Sequence, residues 1–249
     1  MFGAGGEATD GGLEWCLQSQ RGRVSEVSGL GRCVRDGPES CLNIPAPHGH
    51  LEAALREPRG PVRGAGVVCH PHPLHGGTMH TKAVFRAAQA LAEVGIAALR
   101  FNFRGVGTST GSYEEGIGEK GDVAAALDWL TERYPGLPLV AGGFSFGSMV
   151  SLTHAATDPR VVALFGLGIP VRLYDYTFLK DVARPVLIVQ GDADEFGSGP
   201  EVERVVAGLG PHVTLARIPG ADHYFNGRLD EMKDALTAFF RDGPSGDVR

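Results

Sequence analysis

Short apolar runs rich in Val, Ile, Leu and Ala alternate with longer runs of helical periodicity over residues 64–240. Runs that are apolar at nearly every position are typical of parallel strands covered by helices on both faces. The alternation therefore predicts an α/β protein with a mostly parallel, doubly wound sheet. Residues 42–58 alternate apolar and polar positions and predict an antiparallel hairpin before it. In such a sheet, the chemistry is expected at the carboxyl ends of the strands.

The two ends of the chain differ in composition from this alternating region. Residues 1–38 are rich in Gly, Ser and charged residues and lack a sustained period, and the last residues resemble them. We expect a loosely ordered extension over 1–38, one α/β domain over 39–241 and a flexible tail over 242–249. Within the domain, the run beginning at Gly121 predicts a helix with Asp122 in its first turn.

Composition and charge argue against several classes of function. The net charge of −6 and the pI of about 5.8 predict no basic surface, so nucleic acid and membrane are not expected as partners. The four cysteines form no C-x-x-C pair. No apolar run reaches the roughly 18 residues of a membrane span, and the first residues lack the features of a signal peptide. A cytoplasmic protein with reduced thiols is expected.

Two segments match the G-x-S-x-G pattern, at Gly107–Gly111 and at Gly143–Gly147. A nucleophilic serine in this pattern needs a strand directly before it and a helix directly after it, because the tight turn between them exposes the hydroxyl. The second segment has this setting, whereas a glycine-rich loop follows the first. Ser145 is therefore the candidate nucleophile, and Ser109 is interpreted as a loop serine.

A serine hydroxyl needs a neighbouring base, and in this kind of sheet the partners follow in the order Ser, Asp or Glu, His. His223 lies just past the last strand and is the candidate base. His154 falls inside a helix, and His212 falls at the opposite end of a strand. The turn GDADE offers Asp192 and Asp194 as the acid that orients the base. Its spacing favours Asp194, and Asp192 remains an alternative.

Several segments together resemble those of the α/β-hydrolases, in particular the small bacterial serine esterases related to dienelactone hydrolase. They are HPHPLHGGTM, RFNFRGVGTSTGSYEEGIGE, GGFSFGSM, QGDADE and GADHYF. The resemblance covers residues 42–240. It implies an α/β-hydrolase fold, a triad of Ser145, Asp194 and His223, and no cofactor. Dienelactone hydrolase itself has a cysteine where this chain has Ser145, so its substrate is not carried over.

The same resemblance implies an oxyanion hole made of two backbone N–H groups. One comes from the residue after the nucleophile, here Phe146, and the other from the loop after an earlier strand. Pro71 and Pro73 in that loop have no N–H group. The second donor is therefore His72 or Leu74, and both remain open.

The histidines of this loop permit a second hypothesis. The spacing of His70, His72 and His75 matches part of the H-x-H-x-D-H pattern of metallo-β-lactamase zinc sites. The aspartate of that pattern would stand at position 74, where this chain has Leu74. The sequence therefore disfavours a metal-dependent hydrolase, and no metal is expected.

The connection from Pro170 to Arg184 is only about fifteen residues long, too short for a cap domain. We therefore expect no large lid and small or short-acyl esters as substrates, cleaved by a carboxylesterase through an acyl-enzyme. The pocket is expected to be lined by His75, Phe144, Tyr174, Tyr176 and Tyr224. A thioesterase, lactonase or peptidase would use the same residues, and a non-catalytic binding protein is a further alternative. A monomer and a homodimer both remain open.

Overall fold

The computed structural model of the chain describes residues 39–242 and a two-residue strand, Arg32–Cys33. Apart from that strand and Asp242, the predicted extension over 1–38 and the predicted tail over 242–249 lie outside the described residues.

Nine strands form one sheet in the described part of the chain, in the spatial order β1-β2-β3-β5-β4-β6-β7-β8-β9. They are β1 (Arg32–Cys33), β2 (Glu39–Ala46), β3 (Gly49–Arg56), β4 (Gly64–Cys69), β5 (Ile96–Phe101), β6 (Leu139–Phe144), β7 (Val161–Leu167), β8 (Val186–Gly191) and β9 (Val213–Ile218). The α-helices in the same part are α1 (Lys82–Glu93), α2 (Gly118–Arg133), α3 (Phe146–Ala155), α4 (Gly199–Ala207) and α5 (Leu229–Asp242). Short 3-10 turns lie at Pro73–His75 and Thr177–Asp181.

Strand directions divide the sheet into an antiparallel beginning and a parallel remainder. β2 pairs with β3 as an antiparallel hairpin, and β3 is antiparallel to β5. From β5 through β4 to β9, all neighbouring strands are parallel. Every residue of β4, β5, β6 and β8 is buried, as expected for strands covered on both faces. The predicted hairpin and mostly parallel sheet are confirmed.

Helices cover both faces of the sheet. On one face, Val84 of α1 and Met232 of α5 belong to a single buried apolar cluster. On the other face, Leu127 of α2, Val150 of α3 and Val202 of α4 belong to a second cluster. This doubly wound arrangement brings the carboxyl ends of β4 to β9 to one edge, where the loops that follow them meet.

Helix α2 begins at Gly118, one turn earlier than predicted, so the first-turn position expected for Asp122 is wrong. The carboxylate of the buried Glu119 accepts the N–H of Gly116 at 2.7 Å and so closes the turn that starts the helix. Asp122 lies in the second turn and is fully buried. It accepts a hydrogen bond from Nη2 of Arg104 at 2.8 Å, which compensates its buried charge.

The connection between β7 and β8 spans residues 168–185 and contains only the second of the 3-10 turns. It adds no domain above the sheet edge, so the expectation of no large lid is confirmed. Among the helices of residues 39–242, none is long and apolar enough to cross a bilayer.

Candidate active site

A sharp turn between β6 and α3 holds Ser145. Phe144 ends the strand, Phe146 begins the helix, and Ser145 between them has φ 56° and ψ −123°. This is a strained conformation for a residue with a side chain, and it points the hydroxyl out of the sheet edge. A Cβ on Gly143 would lie 2.6 Å from the backbone of Gly147, so only glycine allows the strand and helix to pass this closely.

The structure brings Ser145, His223 and Asp194 together in one chain of hydrogen bonds. Oγ of Ser145 lies 2.9 Å from Nε2 of His223, and Nδ1 of His223 lies 2.8 Å from Oδ2 of Asp194. An ionised carboxylate only accepts hydrogen bonds, so Nδ1 carries the ring proton. Nε2 is then free to accept the hydroxyl proton of Ser145.

The two candidate acids on the turn after β8 point in different directions. Oδ1 of Asp192 accepts a hydrogen bond from Nε of Arg217 at 2.7 Å. Asp194 is buried and accepts from the N–H of Phe196 at 2.8 Å with one oxygen and from His223 with the other. Asp194 therefore contacts the imidazole, and Asp192 takes part in a surface ion pair.

Aromatic rings enclose the imidazole of His223. The ring centroids of Phe196 and Phe144 lie 4.7 Å and 4.9 Å from that of His223, and the centroid of Tyr224 lies at 5.3 Å. His223 is almost fully buried as a result. Phe144 is itself fully buried, so it supports the imidazole from beneath and corrects the expectation that it lines the pocket. No motif in the sequence marks Phe196 as part of the site.

Two backbone N–H groups near Ser145 are available to an oxyanion. Phe146 is the first residue of α3, and its N–H has no acceptor within the helix. In the loop after β4, the N–H of Leu74 is directed at Nδ1 of His72, at 3.2 Å. No acceptor among residues 39–242 takes the N–H of His72 itself. The ring centroids of His72 and Phe146 are 4.9 Å apart, so the loop lies directly against the start of α3.

The loop histidines are held by contacts within the protein. His70 is fully buried, accepts the N–H of Phe103 at Nε2 (3.0 Å), and donates from Nδ1 to the carbonyl of Pro71 (2.6 Å). Burial lowers the pKa of His70 to about 4. Both ring nitrogens of His72 also have partners within the protein. In the described residues, no three His, Cys, Asp or Glu side chains are grouped to hold a metal ion.

The remaining candidates from sequence lie away from this site. The hydroxyl of Ser109 donates to the carbonyl of Asn102 at 2.7 Å and accepts the N–H of Glu52 at 2.9 Å, which ties the loop after β5 to the hairpin. His212 lies before β9 at the amino edge of the sheet and is 2.9 Å from the carbonyl of Leu179. Both are structural contacts.

Comparison with known proteins agrees with the fold. Residues 67–238, more than half of the chain, match the family described as alpha/beta hydrolase domain. This chain belongs to the α/β-hydrolase family. A structure of an α/β serine hydrolase homologue from Coxiella burnetii is 40% identical, with a TM-score of 0.74 and coverage of 79% of this chain and 95% of that chain.

Two further relatives are similar to this α/β-hydrolase over most of their length. An α/β serine hydrolase without a lid from Xanthomonas campestris is 36% identical, with a TM-score of 0.76 and coverage of 85% of this chain and 98% of that chain. An uncharacterized protein of Rickettsia prowazekii is 34% identical over 202 residues, which are 78% of this chain and 85% of the relative.

A row of aromatic side chains continues from the loop after β4 across the start of α3 in this α/β-hydrolase. Ring centroids of His75 and His72 are 4.7 Å apart, those of His72 and Tyr113 are 5.2 Å apart, and those of Phe146 and Tyr174 are 6.4 Å apart. Tyr113 lies on the loop after β5 and is a site residue that the sequence motifs do not predict. The one sequence feature that could have indicated it is the presence of a tyrosine within that glycine-rich segment.

A cavity of about 320 Å³ adjoins this row of side chains and is bordered by residues 171–177 and by Val205. Tyr174 is half-buried there. Tyr176 borders the same cavity, but its side chain is buried and its hydroxyl lies 2.9 Å from Oγ of Ser148. Burial raises the pKa of Tyr176 well above its ordinary value. Tyr176 thus borders the cavity while its ring packs in the core beneath α3, and its role as a wall of the substrate pocket stays a prediction.

Proposed function

We propose that this α/β-hydrolase is a serine carboxylesterase that cleaves small esters with apolar groups through an acyl-enzyme. The unbroken hydrogen-bond chain from Ser145 through His223 to Asp194 carries the proposal. The strained backbone of Ser145 supports it, since a turn of this kind keeps a nucleophile exposed at the cost of local stability.

In the proposed mechanism, Nε2 of His223 takes the proton of Ser145 while Oγ attacks the carbonyl carbon of the ester. Asp194 keeps the ring proton on Nδ1 and stabilises the imidazolium. His223 then gives the proton to the leaving alcohol, and the acyl group stays on Oγ. Water, deprotonated in turn by His223, attacks the acyl-enzyme, releases the acid and restores the serine. This sequence requires no cofactor.

The proposed oxyanion hole uses the N–H groups of Phe146 and His72. The N–H of Leu74 is less suited, because it already donates to Nδ1 of His72. Two aligned donors in a site sheltered from water typically account for a large share of the stabilisation of a tetrahedral intermediate.

The side chains exposed around the entrance to the site favour a substrate with apolar groups. Four large apolar side chains are exposed on loops at the carboxyl edge: Leu74 (68%), Ile117 (75%), Leu173 (60%) and Tyr224 (48%). They follow β4, β5, β7 and β9, the strands whose ends surround Ser145. Exposed large apolar side chains on the loops around a nucleophile are typical of binding sites. Because no cap domain covers them, we propose short-acyl or small aromatic esters as the substrates.

The first test is covalent labelling with a fluorophosphonate probe, followed by mass spectrometry of the modified peptide. The expected result is a label on Ser145 that His223→Ala abolishes. Ser109→Ala is the matched control, because it removes the other G-x-S-x-G serine and is expected to leave labelling intact. An unlabelled, folded wild type would overturn the proposed function.

The acyl-chain preference is tested with a panel of p-nitrophenyl esters from acetate to dodecanoate, and the type of bond cleaved is tested with thioester, lactone and peptide substrates. We expect the highest kcat/KM for the short esters. A higher kcat/KM for thioesters, lactones or peptides would retain the triad and reject the carboxylesterase assignment.

A further inference from the structure

The imidazole of His72 is hydrogen-bonded at both nitrogens. Nδ1 accepts the N–H of Leu74 at 3.2 Å, and Nε2 lies 3.1 Å from the hydroxyl of Tyr113. A nitrogen that accepts an amide hydrogen carries no proton, so the neutral ring has its proton on Nε2. Nε2 therefore donates to the oxygen of Tyr113.

Tyr113 is itself held in place by the turn that follows it. The buried carboxylate of Glu119 accepts the N–H of Glu114 at 2.9 Å and the N–H of Gly116 at 2.7 Å. The ring of Tyr113 lies against that of Phe146, with centroids 6.0 Å apart. The hydroxyl is thus a fixed point beside the start of α3.

The loop that carries His72 has little else to hold its outer part. The backbone hydrogen bonds there are local ones, from the N–H groups of His75 and Gly77 to the carbonyl of His72. Leu74 and His75 are exposed. The two bonds of the His72 ring therefore join an exposed turn to a rigid element.

We propose that Tyr113 is a positioning residue for the oxyanion hole: its hydroxyl holds the ring of His72, and through that ring the backbone N–H of His72. The inference rests on the proposed function and deepens it. A donor that is displaced by about 1 Å loses most of its stabilising effect on an oxyanion. A hydrogen bond that fixes the position of the donor therefore affects the rate, although it does not involve the reacting atoms.

The charged and titratable groups around His72 are consistent with a neutral ring. The ring of His75 is in contact with it, Glu119 faces it from α2, and Tyr113 faces it from the loop after β5. Burial, followed by the proximity of His75, lowers the pKa of His72, and Glu119 opposes this shift. A proton on Nδ1 would face the N–H of Leu74 and release the turn.

The kinetic test is Tyr113→Phe, which removes only the hydroxyl. Acylation and deacylation both pass through an oxyanion, so kcat is expected to fall about 10- to 100-fold while KM stays within about twofold. Tyr134→Phe is the matched control: it removes a hydroxyl bonded to Glu57 at the amino edge of the sheet and is expected to leave kcat unchanged. An unchanged kcat for Tyr113→Phe would overturn the proposal.

A double-mutant cycle separates positioning from direct contact with substrate. His72→Phe removes both ring hydrogen bonds but retains a ring against Phe146. If Tyr113 acts through His72, adding Tyr113→Phe to that variant causes no further fall in kcat. If the falls in kcat of the two single variants multiply in the double variant, the hydroxyl of Tyr113 acts on the substrate itself, and the proposal is overturned.

A measurement independent of activity distinguishes this inference from the proposed function. Nitrogen-15 NMR of the histidine side chains is expected to show His72 as the Nε2–H tautomer at neutral pH, with a changed Nε2 signal in Tyr113→Phe. A Nδ1–H tautomer or an imidazolium would overturn the positioning role even if Ser145 is labelled. Failure to label Ser145 would overturn the proposed function even if the tautomer is as expected.

Discussion

The side-chain nitrogen of Gln190 lies 2.8 Å from Oδ2 of Asp194, the same oxygen that accepts the hydrogen bond from Nδ1–H of His223. Gln190 is fully buried at the end of β8. Its nitrogen also donates to the carbonyl of Gly197 at 2.7 Å, and its oxygen accepts the N–H of Ile169 at 2.8 Å. One side chain thus orients the acid and joins the loops that follow β7 and β8.

We expect Gln190→Leu to lower both stability and activity. It leaves the buried N–H of Ile169 and the carbonyl of Gly197 without their partner, at a cost of about 4 kcal/mol in the free energy of unfolding. Urea denaturation measures this loss, and kcat of the folded fraction is expected to fall as well. Gln89→Leu, on the half-buried side of α1, is the control and is expected to change stability by less than about 1 kcal/mol. Equal effects of the two substitutions would contradict the role given to Gln190.

The two aspartates of the β8 turn are distinguished by one pair of isosteric substitutions. Asp194→Asn offers an amide nitrogen in place of an acceptor oxygen and favours the wrong tautomer of His223, so kcat is expected to fall by about 10⁴-fold. Asp192→Asn weakens only an ion pair with Arg217 on the surface, where such pairs contribute at most about 1 kcal/mol. Steady-state kinetics on one ester gives kcat for both variants, and the loss of kcat is expected to be much larger in Asp194→Asn than in Asp192→Asn. A larger loss in Asp192→Asn would reverse the assignment.

The extent to which the sequence predicts the site differs between its parts. Ser145 is predictable because a glycine-flanked serine between a strand and a helix is a local pattern. The spacing of the turn favours Asp194 over Asp192, but the contacts that distinguish the two acids come from distant segments: Arg217 on β9 pairs with Asp192, and His223 pairs with Asp194. Tyr113 reaches His72 across 41 positions of sequence, and no spacing rule indicates such a contact.

The strained backbone of Ser145 is expected to lower the stability of the protein, although the side chain held there is needed for activity. Ser145→Gly relieves a positive φ at the cost of a more flexible unfolded chain, whereas Ser145→Ala retains the strained Cβ. Both variants lose the hydroxyl and are expected to be inactive. We expect the glycine variant to be more stable than the alanine variant by about 1 kcal/mol, measured by urea denaturation. An alanine variant as stable as the glycine variant would argue against strain at this turn.

Burial of His70 predicts an acid-dependent loss of stability. Its pKa is about 4 in the folded protein against 6.5 as the ordinary value, so the unfolded chain binds the proton more readily. The stabilisation from the neutral ring is complete above pH 6.5 and falls as the pH drops towards 4, by about 3 kcal/mol in total. Below pH 4 both states are protonated at this residue, and its contribution no longer changes.

His70→Gln tests this dependence, because the glutamine oxygen can accept the N–H of Phe103 but does not titrate. Between pH 6.5 and 4, its free energy of unfolding is expected to fall by about 3 kcal/mol less than that of the wild type. The exposed His80 provides the control, since His80→Gln removes a histidine without altering a buried group. If the free energies of unfolding of the wild type and of His70→Gln change in parallel with pH, protonation of His70 does not destabilise the folded protein. The acid sensitivity would then belong to other groups.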